Sequence, residues 1–345
     1  MPHPLEADAA GPNIEIIEAT LDLTYSWGYQ ETREQLRDLY TKAKRSQWIP
    51  DDVLDFSVDV DLGRPMMPDM FHPLHGSDLF DKLTDSEREQ LNAEMASWTL
   101  SQFLHGEQGA LLAAAQLVTS VPDLDSKLYG ATQVVDEARH VDVYNRYLHE
   151  KIGFAYPVNP HLKTLLDLIL TDSRWDMKFL GMQIMVEGLA LSAFAMMRQN
   201  SYEPLLRDIT RYVMSDEARH VAYGVLSLRD HYADRSEADR REREDFVYEA
   251  SVLMRDRFLM QEVWEKMGMP VERCTQLALN NHGQILFRQW LFSKIVPAIK
   301  KIGLLSDRQR ERFGQLGILQ YEDAEDPIEA LEKSEAEQAA AATAA

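Results

Sequence analysis

The chain of 345 residues has little cysteine and little positive charge. Its one cysteine, Cys274, excludes an internal disulfide and every cysteine-cluster metal site, which leaves His, Asp and Glu as the strong metal ligands. Lys and Arg number 36 against 57 Asp and Glu, so the net charge is −21 at pH 7. A chain this acidic repels nucleic-acid phosphates and anionic membranes, and neither is expected as a partner.

Long apolar runs and export signals are also missing. No run reaches the roughly 18 uninterrupted apolar residues of a membrane span, and residues 1–13 carry neither a basic nor an apolar stretch. We therefore expect a soluble, cytoplasmic protein with a disordered N-terminus over residues 1–13. With 45% hydrophobic residues, the rest of the chain has ample material for a buried core.

Glycine and proline are sparse, at 16 and 14 residues, and between the places where they gather the apolar residues recur at helical spacing. The pattern predicts four long helices. A capping box of Ser86 with Glu89 opens the first, a cap at Asp172 or Ser173 precedes the third, and Pro204 opens the fourth. Their predicted ranges are 86–121, 123–152, 175–198 and 204–232.

Further helices are predicted outside this core, over 14–48, 240–266 and 271–302. No stretch alternates in the manner of strands, so the predicted fold class is all-α. We expect a single helical domain over 14–320, with the four long helices at 86–232 as its core. Residues 321–345 are acidic and rich in alanine, which is typical of a flexible, solvated tail.

One five-residue motif, DEARH, occurs twice, at 136–140 and at 216–220. Within each copy Glu and His are three positions apart and therefore share one face of a helix. Each copy also has a glutamate 30 residues upstream, because Glu107 precedes Glu137 and Glu187 precedes Glu217. A lone Glu-x-x-His is usually a solvated helix surface, but two equally spaced copies in apolar surroundings favour a metal site.

Two antiparallel helices place residues 30 apart at about the same height, because each residue rises by about 1.5 Å. If the two halves pack about a pseudo-twofold axis, four carboxylates and two imidazoles meet inside one bundle. These six candidate metal ligands are Glu107, Glu137, His140, Glu187, Glu217 and His220. Four buried carboxylates need about four positive charges, which two divalent ions supply. The ligand set suits two iron ions, and an Mn/Fe pair fits it as well.

The paired pattern resembles the ferritin-like di-iron carboxylate superfamily over residues 86–232. DEARH is similar to the DExRH signature of bacterial multicomponent monooxygenase hydroxylases and, more loosely, to soluble acyl-carrier-protein desaturases. The resemblance implies a ferritin-like four-helix bundle with additional N- and C-terminal helices, in which the six residues bind iron. It also implies that the ligand imidazoles are held by Asp136 and Asp216, and that these aspartates pair with Arg139 and Arg219.

The sequence departs from the monooxygenases one turn after the third carboxylate ligand. Those enzymes carry a hydroxyl residue there, whereas this chain has Leu191, with Ala190 before it and Ser192 as the nearest hydroxyl. Proton delivery to bound oxygen must therefore differ.

Tyr144 lies one turn beyond His140 on the predicted ligand face, a spacing similar to that of the radical tyrosine in ribonucleotide reductase small subunits. It is the candidate catalytic side chain, and the sequence leaves open whether it is oxidised, hydrogen-bonds a ligand or packs. The second half has Gly224 instead.

Other residues near the motifs predict the surroundings of the metals. Free space for oxygen and substrate is predicted beside the small residues Gly106, Gly109, Ala110, Gly188 and Ala190. An adaptable channel, or else core packing, is predicted for Met182, Met185, Phe194, Met196 and Met197. Polar contacts to the ligands are predicted for Gln133 and Gln183.

Such a site predicts an O2-dependent di-iron oxidoreductase, an oxygenase or oxidase acting on an apolar or partly apolar small molecule. No motif for a dinucleotide, a flavin or a cluster held by four cysteines is present to carry electrons, so an external donor such as a ferredoxin or reductase is expected. One alternative is a radical or oxidase protein similar to the ribonucleotide reductase small subunit, and a second is a ferroxidase or iron-storage protein. The helices outside the core also suggest a homodimer interface.

Overall fold

The computed structural model describes residues 14–344, with side chains described up to Ala336, and the predicted disorder of 1–13 lies outside this range. The described residues form helices and loops without a strand, which confirms the all-α prediction. The helices are α1 Glu34–Arg45, α2 Pro50–Val53, α3 Asp78–Asp81, α4 Asp85–Ser120, α5 Leu124–Tyr147, α6 Pro160–Thr171, α7 Trp175–Phe179, α8 Glu187–Asn200, α9 Pro204–Leu228, α10 Glu237–Asp256, α11 Gln261–Lys266, α12 Val271–Asn280, α13 His282–Trp290, α14 Ile295–Lys301, α15 Asp307–Gln315 and α16 Pro327–Ala344.

Two helix pairs form the centre of the bundle. Helices α4 and α5 are joined only by residues 121–123 and pack along each other, and α8 packs along α9. Helix α5 also packs on α9, which brings the two pairs together, while α1 covers both. Most of their buried apolar residues belong to one continuous cluster, while Leu91 and Trp98 of α4 belong to a second. This arrangement places both DEARH motifs on facing helices.

The core helices begin close to the predicted positions, but two caps differ. Helix α4 begins at Asp85 because Thr84, not Ser86, accepts the Glu87 N–H while the Glu87 carboxylate accepts the Thr84 N–H at 2.8 Å. The cap predicted at 172–173 is not formed. Instead the Asp172 carboxylate accepts the N–H of Arg174 at 2.8 Å, one residue before α7 begins.

Two π-helical segments interrupt the predicted core helices. The second core helix is regular in α5 and continues as a π segment over Leu148–Ile152. The third consists of α7, a π segment over Leu180–Val186, and α8, which begins at Glu187. Because a π turn changes the direction of the side chains that follow it, this segment determines the face on which Glu187 lies.

The outer helices are shorter than the sequence predicts. In the predicted 14–48 region residues 14–29 are not helical, and the Thr24 N–H there donates to the Thr119 carbonyl at 2.9 Å. The predicted 240–266 helix is broken by a 3-10 turn over Arg257–Leu259 and by Met260, which has a positive φ of 52°. The predicted 271–302 helix is divided into α12, α13 and α14.

The C-terminal segment is helical, unlike the flexible tail predicted for 321–345. Leu331 of α16 is buried against the bundle. Lys42 pairs with Glu335 at 2.7 Å, and Lys301 pairs with Asp326 at 2.9 Å. Acidic residues that the sequence predicts to be solvated are thus neutralised by lysines of α1 and α14, which only the tertiary structure brings near.

One helical run, Trp175–Asn200, is long and apolar enough to cross a membrane by length and composition alone. However, 83% of the most apolar 18-residue stretch of this run is buried inside the protein. Such burial is expected of a core helix in a soluble protein.

Candidate metal centre

The core helices bring all six predicted ligands into one buried cluster. None is more than 6% exposed, and they are Glu107 on α4, Glu137 and His140 on α5, Glu187 on α8, and Glu217 and His220 on α9. The equal 30-residue spacing produces this meeting, because each upstream glutamate lies opposite its motif on the neighbouring helix.

The ligand atoms form two groups that share one residue. Glu107, Glu137, His140 and Glu217 each offer an atom, and these atoms all lie within 4.8 Å of one another. The same holds for the second group, which consists of Glu137, Glu187 and His220. Glu137 therefore lies between two adjoining positions, as a bridging carboxylate would.

Both imidazoles direct Nδ1 toward the carboxylates. Nδ1 of His140 lies 3.2 Å from Glu107 Oε2 and 3.2 Å from Glu217 Oε1. Nδ1 of His220 lies 3.1 Å from Glu137 Oε1 and 3.5 Å from Glu217 Oε2. Glu217 thus faces both imidazoles, and Nδ1 is the ring nitrogen that each histidine would offer to a metal.

The other ring nitrogen of each histidine contacts an aspartate of the opposite motif. Nε2 of His140 lies 3.1 Å from Oδ2 of Asp216, and Nε2 of His220 lies 3.4 Å from Oδ2 of Asp136. In a neutral imidazole, an Nε2–H donated to a carboxylate leaves Nδ1 free to bind a metal and raises its basicity. The aspartates thus occupy the positions that the resemblance implies, but across the two halves.

The motif arginines neutralise these aspartates. Arg139 donates from Nη2 to Asp136 at 2.5 Å and to Asp216 at 2.9 Å, and Arg219 donates to Asp216. Burial raises the pKa of Asp216, but the hydrogen bond and charge of His140 and the two arginines outweigh it and hold that pKa below its usual range. Asp216 therefore remains charged beside the imidazole.

Two further partners of the aspartates come from residues just after α1. Nε1 of Trp48 donates to Asp216 Oδ2 at 2.8 Å, and Gln47 donates to Asp136 Oδ1 at 2.8 Å. No local pattern signals either contact, because the two partners are at least 89 positions apart and their meeting depends on where α1 crosses the bundle.

The glutamines predicted to touch the ligands do so. Gln133 donates from Nε2 to Glu137 Oε1 at 3.0 Å and to Glu187 Oε1 at 2.8 Å. Gln183 donates to Glu187 Oε1 at 3.5 Å and to Gln133 Oε1 at 3.4 Å. One oxygen of each of these glutamates is thereby oriented by an amide.

Several ligand atoms nevertheless have no hydrogen-bond partner among the described residues. They are Oε2 of Glu137, Oε2 of Glu187, both carboxylate oxygens of Glu217 and Nδ1 of His220. An unpaired buried polar atom costs about 1–3 kcal/mol, and a charged one costs more. Oxygen and imidazole atoms that lie close together without hydrogen-bond geometry fit a pair of divalent cations.

The charges of the cluster also favour a pair of divalent cations. Burial raises the pKa of Glu107 to about 8. Burial, together with the charges of Glu217 and Glu137, raises the pKa of Glu187 well above its usual value. In Glu137 burial is outweighed by the two neighbouring imidazoles, which lower its pKa. Two of the four glutamates therefore hold protons unless cations take their place.

Tyr144 is fully buried beside the cluster. Its ring stacks on Phe194 with centroids 6.1 Å apart, and its hydroxyl has no hydrogen-bond partner among the described residues. Burial, reinforced by the charge of Glu107, raises the pKa of Tyr144 well above its usual value. The phenol thus stays protonated next to a candidate ligand, and its catalytic role remains a prediction.

A small cavity of about 20 Å³ lies beside the carboxylates Glu107, Glu187 and Glu217. A Cβ added to Gly106 would meet no atom within 4 Å there. The cavity, which has room for about one water-sized group, is also lined by Phe103, Ala110, Ala190, Phe194 and Arg257.

Two of the predicted space-making glycines serve helix packing instead. A Cβ on Gly109 would lie 2.5 Å from Leu166, and one on Gly188 would lie 3.1 Å from Ile295. The room beside these glycines is thus taken by α6 and α14, which periodicity in the core helices does not reveal.

An apolar pocket of about 90 Å³ shares Phe103 with this cavity as a lining residue. Besides Phe258 and Phe287, its lining includes Met66, Met67, Met95, Met197 and Met260. Of the predicted channel residues only Met197 lines this pocket, while Met182 and Met185 are fully buried in the core. The flexible side chains around it suit an apolar ligand of variable shape.

Together these features define a ferritin-like helical bundle with a buried carboxylate–histidine centre for two metal ions. The family model described as p-aminobenzoate N-oxygenase AurF matches residues 29–303. The chain belongs to this family, and it is an O2-dependent di-iron oxidoreductase of the oxygenase or oxidase type. The predicted superfamily and reaction class are confirmed by this match.

Solved structures of R2-like ligand-binding oxidases have a similar fold. A valine-to-isoleucine mutant with an aerobically reconstituted Mn/Fe cofactor is 21% identical, with a TM-score of 0.51 over 78% of this chain and 94% of that chain. A tyrosine-to-phenylalanine mutant with the same kind of cofactor is 22% identical, with a TM-score of 0.51 over 78% of this chain and 93% of that chain. Among functionally curated proteins, none matches the chain.

Proposed function

We propose that the protein uses O2 to oxidise an apolar or partly apolar small molecule at two metal ions held by the six clustered side chains. The observation that carries this proposal is the pair of ligand groups that share Glu137. Glu107 and His140 would hold one ion and Glu187 and His220 the other. Glu137 would bridge them, and Glu217, which faces both imidazoles, would be the second bridge.

When bound, two ferrous ions supply the electrons that activate O2. The protein supplies a dry and preoriented site. Asp216 and Asp136 hold the Nε2 protons of the imidazoles, and Gln133 orients two of the carboxylates. The aromatic rings of Phe103 and Phe194 line the cavity beside the ligands. The metal pair is proposed as Fe/Fe, with Mn/Fe as an alternative that the same ligands accept.

The substrate is proposed to approach through the methionine-lined pocket beyond Phe103. The family takes its name from an N-oxygenase of p-aminobenzoate, so oxygenation of an aromatic amine is the first reaction to test. Hydroxylation and desaturation of apolar compounds are the next reactions to test, since such compounds also suit this apolar pocket.

Electrons are proposed to come from an external ferredoxin or reductase, because the sequence has no motif for a flavin, a nicotinamide or an iron–sulfur cluster. A homodimer and a cytoplasmic location are part of the same proposal. They are supported by the helices outside the bundle core and by the burial of the most apolar helix.

A radical or oxidase role is the second candidate, favoured by Tyr144. Its phenol is buried next to Glu107 and has no hydrogen-bond partner among the described residues, which are the surroundings of a side chain that a metal centre oxidises. Oxidation of Tyr144 in the absence of substrate would give a phenoxyl signal in electron paramagnetic resonance that Tyr144→Phe abolishes.

The deciding experiment is O2 uptake by protein reconstituted with Fe²⁺ under anaerobic conditions and then exposed to a panel of aromatic amines and apolar compounds. We expect about two iron ions per chain and substrate-stimulated uptake with an oxygenated or dehydrogenated product. Iron far above that ratio would indicate storage. Two bound irons without O2 uptake under any condition would refute the proposal.

A further inference from the structure

A cleft of about 690 Å³ lies between the C-terminal helix α16 and the core helices α8 and α9. This α16 cleft shares no lining residue with the small cavity beside the carboxylates or with the apolar pocket that contains Met197. Its volume is within the range of about 300–1,000 Å³ that is typical of small-molecule sites. The cleft therefore offers space for a second ligand, apart from the metal centre.

Helix α16 is fixed in place as the outer wall of the cleft. Leu331 is buried against the bundle, and Glu335 pairs with Lys42 of α1 at 2.7 Å. On the other side of Leu331, Asp326 pairs with Lys301 at 2.9 Å. Because contacts on both sides of Leu331 hold the helix, the space behind it is part of the folded structure.

Cations outnumber carboxylates in the lining of the cleft, although the whole chain carries a net charge of −21. The cations are Arg198, Arg211, Arg219, Lys294 and Lys333, and the carboxylates are those of Glu325 and Glu335. Glu325 already pairs with Lys333 at 3.7 Å, and Glu335 pairs with Lys42. Asp216 offsets the charge of Arg219. Three cations are thus left for an occupant of the cleft.

Two of these three cations have no partner among the described residues. The side chains of Arg198 and Lys294 form neither a hydrogen bond nor an ion pair there. The third, Arg211, lies 3.5 Å from Asp208, but both side chains are about half exposed, and solvent weakens such a pair. Burial lowers the pKa of Lys294, and the carboxylate of Glu325 offsets this only in part.

The two unpartnered cations lie on the same side of the cleft. Arg198 is seven residues after Leu191, two turns along the face of α8 that lines the cleft. Oγ of Ser192 lies 3.3 Å from Oγ of Ser293, which places Lys294 beside the same helix. Both side chains are long and flexible, so they can reach one anion.

Much of the remaining lining is apolar. It consists of Leu191, Ala195, Tyr212, Met214, Ala218 and Leu331, among others. The Tyr212 ring is held by the Trp48 ring, with 5.0 Å between centroids, and by the Arg211 guanidinium, 4.2 Å from its centroid. A fixed aromatic wall beside cations suits a flat ring that carries an anionic group.

We propose that the α16 cleft binds a small phosphate monoester with an aromatic body, and that Lys294 and Arg198 neutralise its phosphate. A phosphate monoester carries a charge of about −1.5 to −2 at pH 7, which balances two cations, whereas a monoanion would leave one of them unbalanced. The aromatic body would pack on Tyr212 and the apolar side chains. This inference goes beyond the proposed function, because it requires neither the metal ions nor O2.

The test measures the binding of four probes to full-length, Mn²⁺-loaded protein by titration calorimetry, after unbound metal is removed. Phenyl phosphate, phenyl sulfate and phenol share one ring but carry charges of about −2, −1 and 0, and inorganic phosphate lacks the ring. Wild-type protein is expected to bind phenyl phosphate about 10-fold more tightly than phenyl sulfate and about 100-fold more tightly than phenol. Inorganic phosphate should bind about 10-fold more weakly than phenyl phosphate, because it leaves the apolar wall in water.

Three variants locate the phosphate. Lys294→Met and Arg198→Met should each weaken the binding of phenyl phosphate about 10-fold and leave that of phenol unchanged, and Lys294→Arg should retain most of the affinity. Neither methionine variant should melt at a lower temperature than wild type, because the charge that it removes has no partner. Lost binding is thereby distinguished from lost folding.

Arg207→Met is the matched control. Arg207 is exposed on α9 outside the cleft, and its loss changes the net charge by the same amount. This variant should bind all four probes as wild type does.

Wild-type protein that binds phenyl phosphate and phenol equally would overturn the inference. A preference for phenyl phosphate that stays complete in both Lys294→Met and Arg198→Met would overturn it as well, because the phosphate would then bind elsewhere. Phenyl sulfate that binds as tightly as phenyl phosphate would refute the dianion, and inorganic phosphate that does so would refute the aromatic body. The proposed function fails separately, through absent metal uptake.

Discussion

Nε2 of His140 in the first DEARH motif lies 3.1 Å from Oδ2 of Asp216 in the second motif. The reverse contact joins His220 to Asp136 at 3.4 Å. Because each imidazole is held by the aspartate of the opposite half, neither half orients its histidine alone. The two halves of the centre are therefore interdependent, and a change in one should be measurable at the other.

Asp216→Asn tests this dependence. The substitution keeps the shape but removes the charge that supports His140, and it leaves Arg139 and Arg219 short of a partner. Metal affinity should fall about 10- to 100-fold, measured by competition with a chelator. The control is Asp208→Asn, on an exposed part of α9, which should change nothing. Wild-type affinity in Asp216→Asn would mean that the crossed contact has no part in metal binding.

The shared position of Glu137 predicts unequal effects of two alanine substitutions. Glu137→Ala removes an atom from both ligand groups and should lose both ions, whereas Glu187→Ala removes one from the second group and should lose one. Metal per chain, measured by mass spectrometry after dialysis, distinguishes these results. Glu249→Ala, which is exposed on α10, is the control. Equal metal content in all three variants would contradict the ligand assignment.

Two glycines three residues apart should respond oppositely to alanine. Either substitution should add about 0.5–1 kcal/mol to the free energy of unfolding, because alanine loses less backbone freedom on folding than glycine does. At Gly106 the new methyl group meets no atom within 4 Å, so the variant should be more stable. At Gly109 it would lie 2.5 Å from Leu166, and overpacking of about 1–3 kcal/mol outweighs the gain. Urea unfolding measures both, and an equal shift in the two variants would show that Leu166 moves aside freely.

The buried amine of Lys178 should make the free energy of unfolding increase with pH. Burial lowers its pKa to about 8, from 10.5 in the unfolded chain, while its ammonium donates to the carbonyls of Ile169 and Leu170. At a pH between these two pKa values, the unfolded state binds more protons than the folded state. The penalty for burying the charged amine is therefore full below about pH 8 and disappears by about pH 10.5. The free energy of unfolding of wild type relative to Lys178→Met should therefore increase over this range. A constant difference would show that the amine keeps an ordinary pKa.

The sequence alone determined the helical fold, the two DEARH motifs and the pairing of each upstream glutamate with its motif inside one helix pair. These follow from local rules, because the i to i+3 spacing and the rise per residue act within one helix or one helix pair. The recurrence of the 30-residue interval placed Glu107 at the height of Glu137 and Glu187 at the height of Glu217, while the π segment before Glu187 set the face on which that side chain lies.

Only the tertiary structure decided which partners these residues have across the bundle. In the folded protein each aspartate contacts the histidine of the opposite half, and Trp48 contacts Asp216. Leu166 occupies the space beside Gly109, and Arg257 lines the small cavity beside the carboxylates. Each of these contacts joins residues that are far apart in the sequence. Their formation depends on how helices cross and which rotamers fit between them, and the periodicity of a single helix contains neither.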